Sequence, residues 1–268
     1  MMTRAISAIV AVAVVIVVYW LWQTNGLYVI SSLVSIGCIV EYSRLTFRKA
    51  RSPLHVRTMF VILAIVVYGI SVAHIEFAVH AAATASIVFL SMVLLTVRKS
   101  PDLPNALSLQ NAGLMGFFYC AIFPALAVRT LTLPNGSAWL LGLMAIVFSG
   151  DTFAYLAGRF FGKTKLLEPV SPKKTIEGSI GGLFGSALAG FLIARFFFPE
   201  IAPLSMVLMA LVTGLFAQVG DLFESLLKRI AEVKDSGSIM PGHGGILDRI
   251  DGILFAAPIY YVLAHFLQ

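Results

Sequence analysis

Charge is scarce in this chain. Only 12% of its 268 residues are Asp, Glu, Lys or Arg, while 59% are apolar. A soluble globular protein is about 45–50% apolar, so an ordinary water-soluble fold is excluded. Polar stretches long enough to form a soluble domain are missing too, which leaves one integral domain. Strict alternation of polar and apolar residues is missing, which disfavours a membrane β-barrel. Cysteine is nearly absent. Cys38 and Cys120 both lie in apolar runs and read as small packing residues, with no spacing for a disulfide framework or a thiolate metal site.

What is present is a series of long apolar runs. A bilayer crossing takes about 20 residues, and nine runs qualify: 5–23, 27–43, 56–75, 78–97, 109–129, 137–157, 178–198, 202–224 and 250–267. The expected fold class is an all-α polytopic integral membrane protein with about nine transmembrane helices. The first run follows Arg4 and ends at Gln23–Gly26 without a small-x-small cleavage pattern, so a retained span is expected rather than a signal peptide.

Basic residues orient the chain. With a cytoplasmic N-terminus and nine alternating spans, seventeen of the nineteen fall inside, and only Arg129 and Arg195 fall outside. The C-terminus is then on the opposite side, and the motif-rich loops face the cytoplasm, in the setting of a cell's inner membrane. The basic loop 44–57 suits anionic lipid headgroups, and no nucleic-acid partner is expected.

The chain reads as two regions of one integral domain. Residues 1–135 hold spans one to five, the first four with few polar groups; residues 136–268 hold spans six to nine. In the second region Asp151 and Asp221 each lie inside a span, about seven residues or ~10 Å before the basic residue, Arg159 or Lys228, that marks its cytoplasmic end. A carboxylate in hydrocarbon is costly without a partner. Both therefore face a metal, a water-filled cavity, or a Lys or Arg that helps helices associate, and their equal depth allows one shared cavity. The pairs Gly178/Gly182 and Gly181/Gly185 suit close helix packing. A homodimer through this face is a further option.

The densest charge cluster is Ser225–Asp251. Its 27 residues hold Lys228, Arg229, Lys234, Arg249, Glu232, Asp235, Asp248, Asp251 and His243. Asp221, Ser225 and Lys228 share one helix face by their i, i+4, i+7 spacing. Asp248 and Asp251 are three residues apart at the start of the last span. Hard carboxylate oxygens suit Mg²⁺, with Asp221 and Asp248 as preferred ligands and Asp251 and Asp151 next. Pro241–Gly245 surrounds His243 with glycines, including Gly244 and Gly245, and could cradle phosphate oxygens on backbone N–H groups. His243 reads as a phosphate donor, a proton carrier or a turn residue. Lys228, Arg229, Lys234 and Arg249 suit phosphate or simple anchoring. Upstream, Lys173 and Lys174 precede a helix expected to start near Thr175, a second place for an anion.

The string Ser225-x-x-Lys-Arg-x4-Lys-Asp-x-Gly-x3-Pro-x-His-Gly-Gly-x2-Asp-Arg-x-Asp251 resembles the signature of the phosphatidate cytidylyltransferase (CDP-diacylglycerol synthase) family. Asp151-Thr-Phe-Ala-Tyr155 with Gly158-Arg159-x2-Gly162-Lys163, and Ser171-Pro-Lys-Lys-Thr175 with Glu177-Gly178, agree with it. The resemblance is specific over 140–268. It implies transfer of a cytidylyl group from CTP to phosphatidic acid at the bilayer, giving CDP-diacylglycerol and pyrophosphate. It also implies Mg²⁺, with a second metal or a monovalent ion left open. Catalytic roles are then expected for Asp221, Asp248, Lys228, His243 and Asp151. Substrate contacts are expected for Ser225, Arg229, Lys234, Asp235, Lys173, Lys174, Gly244, Gly245 and Arg249, and metal contacts for Asp221, Asp248 and Asp251. The nearest rival is a CTP-dependent kinase of a polyprenol-like lipid. A transporter is a further rival, but the charges cluster on one side and no internal repeat is seen.

Overall fold

A computed structural model describes residues 2–49, 53–99, 102–237 and 244–268, with side chains of the first helix described over 13–47. The fold is α-helical and polytopic. Among the described residues seven helices are long and apolar enough to cross a membrane.

The difference from the nine expected spans lies at the two ends. Runs 5–23 and 27–43 fall in one element, α1 (Met2–Lys49), two helical segments that meet at Gln23 with φ 51° and ψ −136°. A Cβ on Gly26 would come 2.6 Å from the Val18 carbonyl oxygen. Residues eight apart in an unbroken helix are separated by ~12 Å of rise, so the chain bends sharply at Gln23. The last expected run corresponds to α9 (Leu247–Phe266), whose apolar character is diluted by Asp248, Arg249, Asp251 and His265. It is not among the seven.

The chain divides into two compact units, Met1–Val128 with Ile230–Arg249, and Arg129–Arg229 with Ile250–Gln268. The first unit is built on α1, α2 (Leu54–Ala73), α3 (Ala78–Leu94), α4 (Leu103–Gly116) and a π-helical stretch, Phe117–Ile122. α5 (Phe123–Arg129) follows. Its core is aromatic. Phe60 lies 4.9 Å from Phe47 and 5.3 Å from Phe117, ring centre to ring centre, with Tyr42 and Phe89 against it at 5.8 and 6.0 Å. Gly113 and Gly116 of α4 leave room for these rings against the helix backbone. The Tyr42 hydroxyl donates to the Ala112 carbonyl at 2.8 Å, which satisfies its one polar group.

The second unit contains α6 (Gly136–Phe161), a short antiparallel ribbon of β1 (Lys165–Leu167) and β2 (Ser171–Thr175), α7 (Ile176–Phe197), α8 (Pro203–Ile230) and most of α9. α6 and α8 run past the expected span ends at 157 and 224, because Arg159, Lys228 and Arg229 continue helical in their last turns. α7 starts where expected: Thr175 caps it, its Oγ1 accepting from Gly178 N at 3.1 Å. The glycine face offered for self-association is filled from within the chain. Gly178, Gly181, Gly182 and Gly185 meet Ala154, Ala157, Phe153 and Ser149 of α6. α7 also meets α8, where Gly190 faces Met206 and Ala210 and Gly182 faces Gln218.

Candidate active site

Glycine also draws α8 and α9 together. A Cβ on Gly220 would lie 2.5 Å from the Asp251 carbonyl oxygen and 3.0 Å from Phe255 Cβ. That contact places Asp221, the next residue, beside the first turns of α9. Lys174, at the end of β2, reaches the same spot, and its Nζ lies 2.5 Å from Asp221 Oδ2. Asp151 of α6 completes the group. Asp151 and Asp251 both lie within reach of the Asp221 charge, with Lys174 also near Asp151 and Lys228 near Asp251. The second unit thus holds three carboxylates with two lysines among them. Next to this cluster, the Ser179 hydroxyl donates to Gln218 Oε1, and Gln218 Nε2 donates to the Ser179 carbonyl at 3.0 Å, which locks α7 to α8.

The shared face expected for Asp221, Ser225 and Lys228 is joined by a residue not anticipated, Glu224. It is fully buried and forms an ion pair with Lys228 one turn on. Its signal was its i, i+4 spacing to Lys228. Ser225 is half-buried on the same helix. Arg229 is exposed and its Nε donates to the Val170 carbonyl at 3.2 Å, tying the end of α8 to the ribbon. Lys173 is exposed, whereas its neighbour Lys174 turns inward. Glu177 folds back from α7 to accept from the Lys163 and Thr164 amides at 3.0 and 3.2 Å, which fixes the link between α6 and the ribbon.

The first unit holds a separate group. Asp248 opens α9, and its Oδ2 accepts from Ser236 N, Ser236 Oγ and Gly245 N, each at 2.8 Å. Gly244 has φ +82°, and a Cβ there would lie 2.6 Å from Asp248 Oδ2, so glycine is required twice over. Glu41 of α1, also not anticipated, is fully buried and accepts from Leu247 N at 2.9 Å. An acid inside the run 27–43 was the signal for it, the same signal that singled out Asp151. Lys234, Asp235 and Arg249 are exposed. His243 lies outside the described residues. Among those described, no group of three or more His, Cys, Asp or Glu side chains is already arranged to hold a metal ion.

The chain belongs to the cytidylyltransferase family, whose model matches residues 2–267. It is 30% identical to the phosphatidate cytidylyltransferase of Synechocystis sp. over 289 residues, covering 96% of this chain and 94% of that one. It is 35% identical to the phosphatidate cytidylyltransferase of Staphylococcus saprophyticus over 178 residues, 66% of each chain. Against phosphatidate cytidylyltransferase 5, chloroplastic, of Arabidopsis thaliana it is 35% identical over 212 residues, 70% of this chain and 51% of that one.

Proposed function

We propose that this chain transfers the cytidylyl group of CTP to phosphatidic acid, forming CDP-diacylglycerol and pyrophosphate. The observation that carries the reading is the family match across residues 2–267. In the reaction a phosphate oxygen of phosphatidic acid bonds to the α-phosphorus of CTP. The bond from that phosphorus to the oxygen bridging to the β-phosphorus breaks, and pyrophosphate leaves with the electron pair. The nucleophile is already an anion, so no strong base is needed. The protein's task is positioning and charge neutralisation. Lys174 and Lys228 stand among the carboxylates of the second unit and suit phosphate oxygens there. Lys173 and Arg229 lie on the exposed approach.

The second unit suits a divalent cation. Asp151, Asp221 and Asp251 offer the hard oxygens Mg²⁺ prefers, and a lysine ammonium already rests against Asp221. Asp221 and Asp251 would hold the ion, with Asp248 as a ligand on the ground of its three-residue spacing from Asp251 alone. When bound, the ion supplies charge neutralisation on the triphosphate. Purified protein with Mg²⁺ is expected to release pyrophosphate from CTP only when phosphatidic acid is present. Folded protein that releases none overturns the reading, and CDP formed with a polyprenol substrate supports the kinase instead.

The site faces the cytoplasm of the cell's inner membrane, with the N-terminus inside and nine crossings. The distribution of basic residues supports this, as does the bend at Gln23, which divides α1 in two. A cysteine introduced at Gln268 should react with an impermeant maleimide on intact cells, and one at Lys163 only after permeabilisation; the reverse pattern refutes the orientation. A homodimer would pair through a face other than that of α7 glycines, which α6 fills. Cross-linking in membranes tests it.

A further inference from the structure

Glu41 belongs to none of the motifs, yet it is fully buried, at 0% exposure. A carboxyl buried in a membrane helix is costly and persists where its contacts require it. Its contacts lie 195 and 206 residues further along the chain, at Ser236 and Leu247. Glu41 Oε2 accepts from Leu247 N at 2.9 Å and lies 3.3 Å from Ser236 Oγ. Ser236 has one hydroxyl proton, and the shorter contact, 2.8 Å to Asp248 Oδ2, takes the greater share of it. A single serine thus stands against both carboxylates.

Steric fit points the same way. A Cβ on Gly237 would come 2.8 Å from Glu41 Cδ, and one on Gly245 would come 2.7 Å from it. Real side chains do not approach so closely. Two glycines of the 225–251 motif therefore make room for a carboxylate from the first helix. Gly37, one turn before Glu41, gives the same helix space for Ile246. The N-terminal region, bland in sequence, is shaped to receive the motif.

We infer that Glu41 is a positioning residue for cytidylyl transfer: it anchors Ser236, Gly245 and Leu247, and through Ser236 and Gly245 it sets the Asp248 carboxylate. This rests on the reading of Asp248 as part of the active site. The anchor is both polar, at the Leu247 amide, and steric, at the two glycines.

The test compares wild type, Glu41→Ala and Glu41→Gln in detergent, with CTP, phosphatidic acid and Mg²⁺. Glu41→Ala is expected to lower kcat by about tenfold or more. It should also raise the Mg²⁺ concentration for half-maximal rate and speed hydrogen exchange at the Gly245 and Leu247 amides. Glu41→Gln keeps an acceptor oxygen and should retain more of kcat than Glu41→Ala. Wild-type kcat, Mg²⁺ response and exchange in Glu41→Ala overturn the inference. So does a fall in kcat with unchanged exchange at both amides. If Glu41→Ala does not fold, Gly237→Ala is compared in wild type and in Glu41→Asp, which is one methylene shorter. A smaller loss of kcat in the Glu41→Asp background supports the fit, and equal losses refute it. Should wild type release no pyrophosphate, the cytidylyl-transfer reading fails, while amide exchange still decides whether Glu41 anchors Gly245 and Leu247.

Discussion

The Lys174 ammonium lies 2.5 Å from Asp221 Oδ2, and through this pair the Ser171–Gly178 motif meets α8 four residues before the Ser225–Asp251 cluster. Lys173 beside it is exposed. Alternation along β2 separates the two, since successive strand residues point to opposite faces. The lysines therefore differ in consequence. Lys174→Gln and Asp221→Asn are each expected to lower kcat/KM by about 10²–10³, the scale of one removed preorganised charge contact. Lys173→Gln should cost no more than about tenfold, as a peripheral phosphate contact. The pair is partly exposed, so its contribution to stability is small, ~0–1 kcal/mol. Both variants should elute as folded protein, and pyrophosphate release is the readout.

Gly220 sets the distance between Asp221 and the α9 backbone. Gly220→Ala places a methyl 2.5 Å from the Asp251 carbonyl oxygen, so α8 and α9 must part. Overpacking of this kind costs about 1–3 kcal/mol, and a displacement near 1 Å at a reacting site costs about 10² in rate. A fall in kcat much larger than the loss of thermal stability in detergent is the expected result.

Asp248 Oδ2 collects three hydrogen bonds at 2.8 Å. Asp248→Ala should abolish measurable turnover and accelerate exchange at the Gly245 amide, while helix content stays. Ser236→Ala removes one of the three donors and should lower kcat by about tenfold, the scale of one hydrogen bond to a charged group. Circular dichroism and amide exchange separate a local opening from global unfolding.

Glu224 is fully buried against Lys228. Removing one partner of a buried pair costs about 3–5 kcal/mol, whereas replacing both with apolar residues can be neutral. Lys228→Met should therefore unfold at markedly lower temperature. Glu224→Leu combined with Lys228→Met should recover much of that stability without recovering activity, since Lys228 also stands near Asp251. Recovery of activity in the double variant would assign Lys228 a purely structural role.

Local signals read well. Thr175 before Gly178 announced the helix start, and its side chain caps that helix. The break near Gln23 was marked by polar residues, and the chain bends there. Asp151 and Asp221, singled out by the cost of burying a carboxylate, lie in the same unit, with Asp151 within reach of the Asp221 charge. Glu41 carried the same signal, but the basic residue at local spacing, Arg44, is exposed, and the groups Glu41 meets belong to Ser236 and Leu247. The glycines of α7 read equally as a face for another copy or for a helix of the same chain. Only the position of α6 decides between them.

An apolar run, a cap or a motif acts over a few residues, so the helices, the charge cluster of 225–251 and the family resemblance were all legible in the linear chain. The company each charge keeps was not. A buried carboxylate is stabilised by whichever amide, hydroxyl or ammonium the fold brings within ~3 Å. For Glu41 that group lies 206 residues away, and for Asp221 it lies on a strand before α7. Such pairings depend on where glycines let backbones touch, and that is a property of the packed helices.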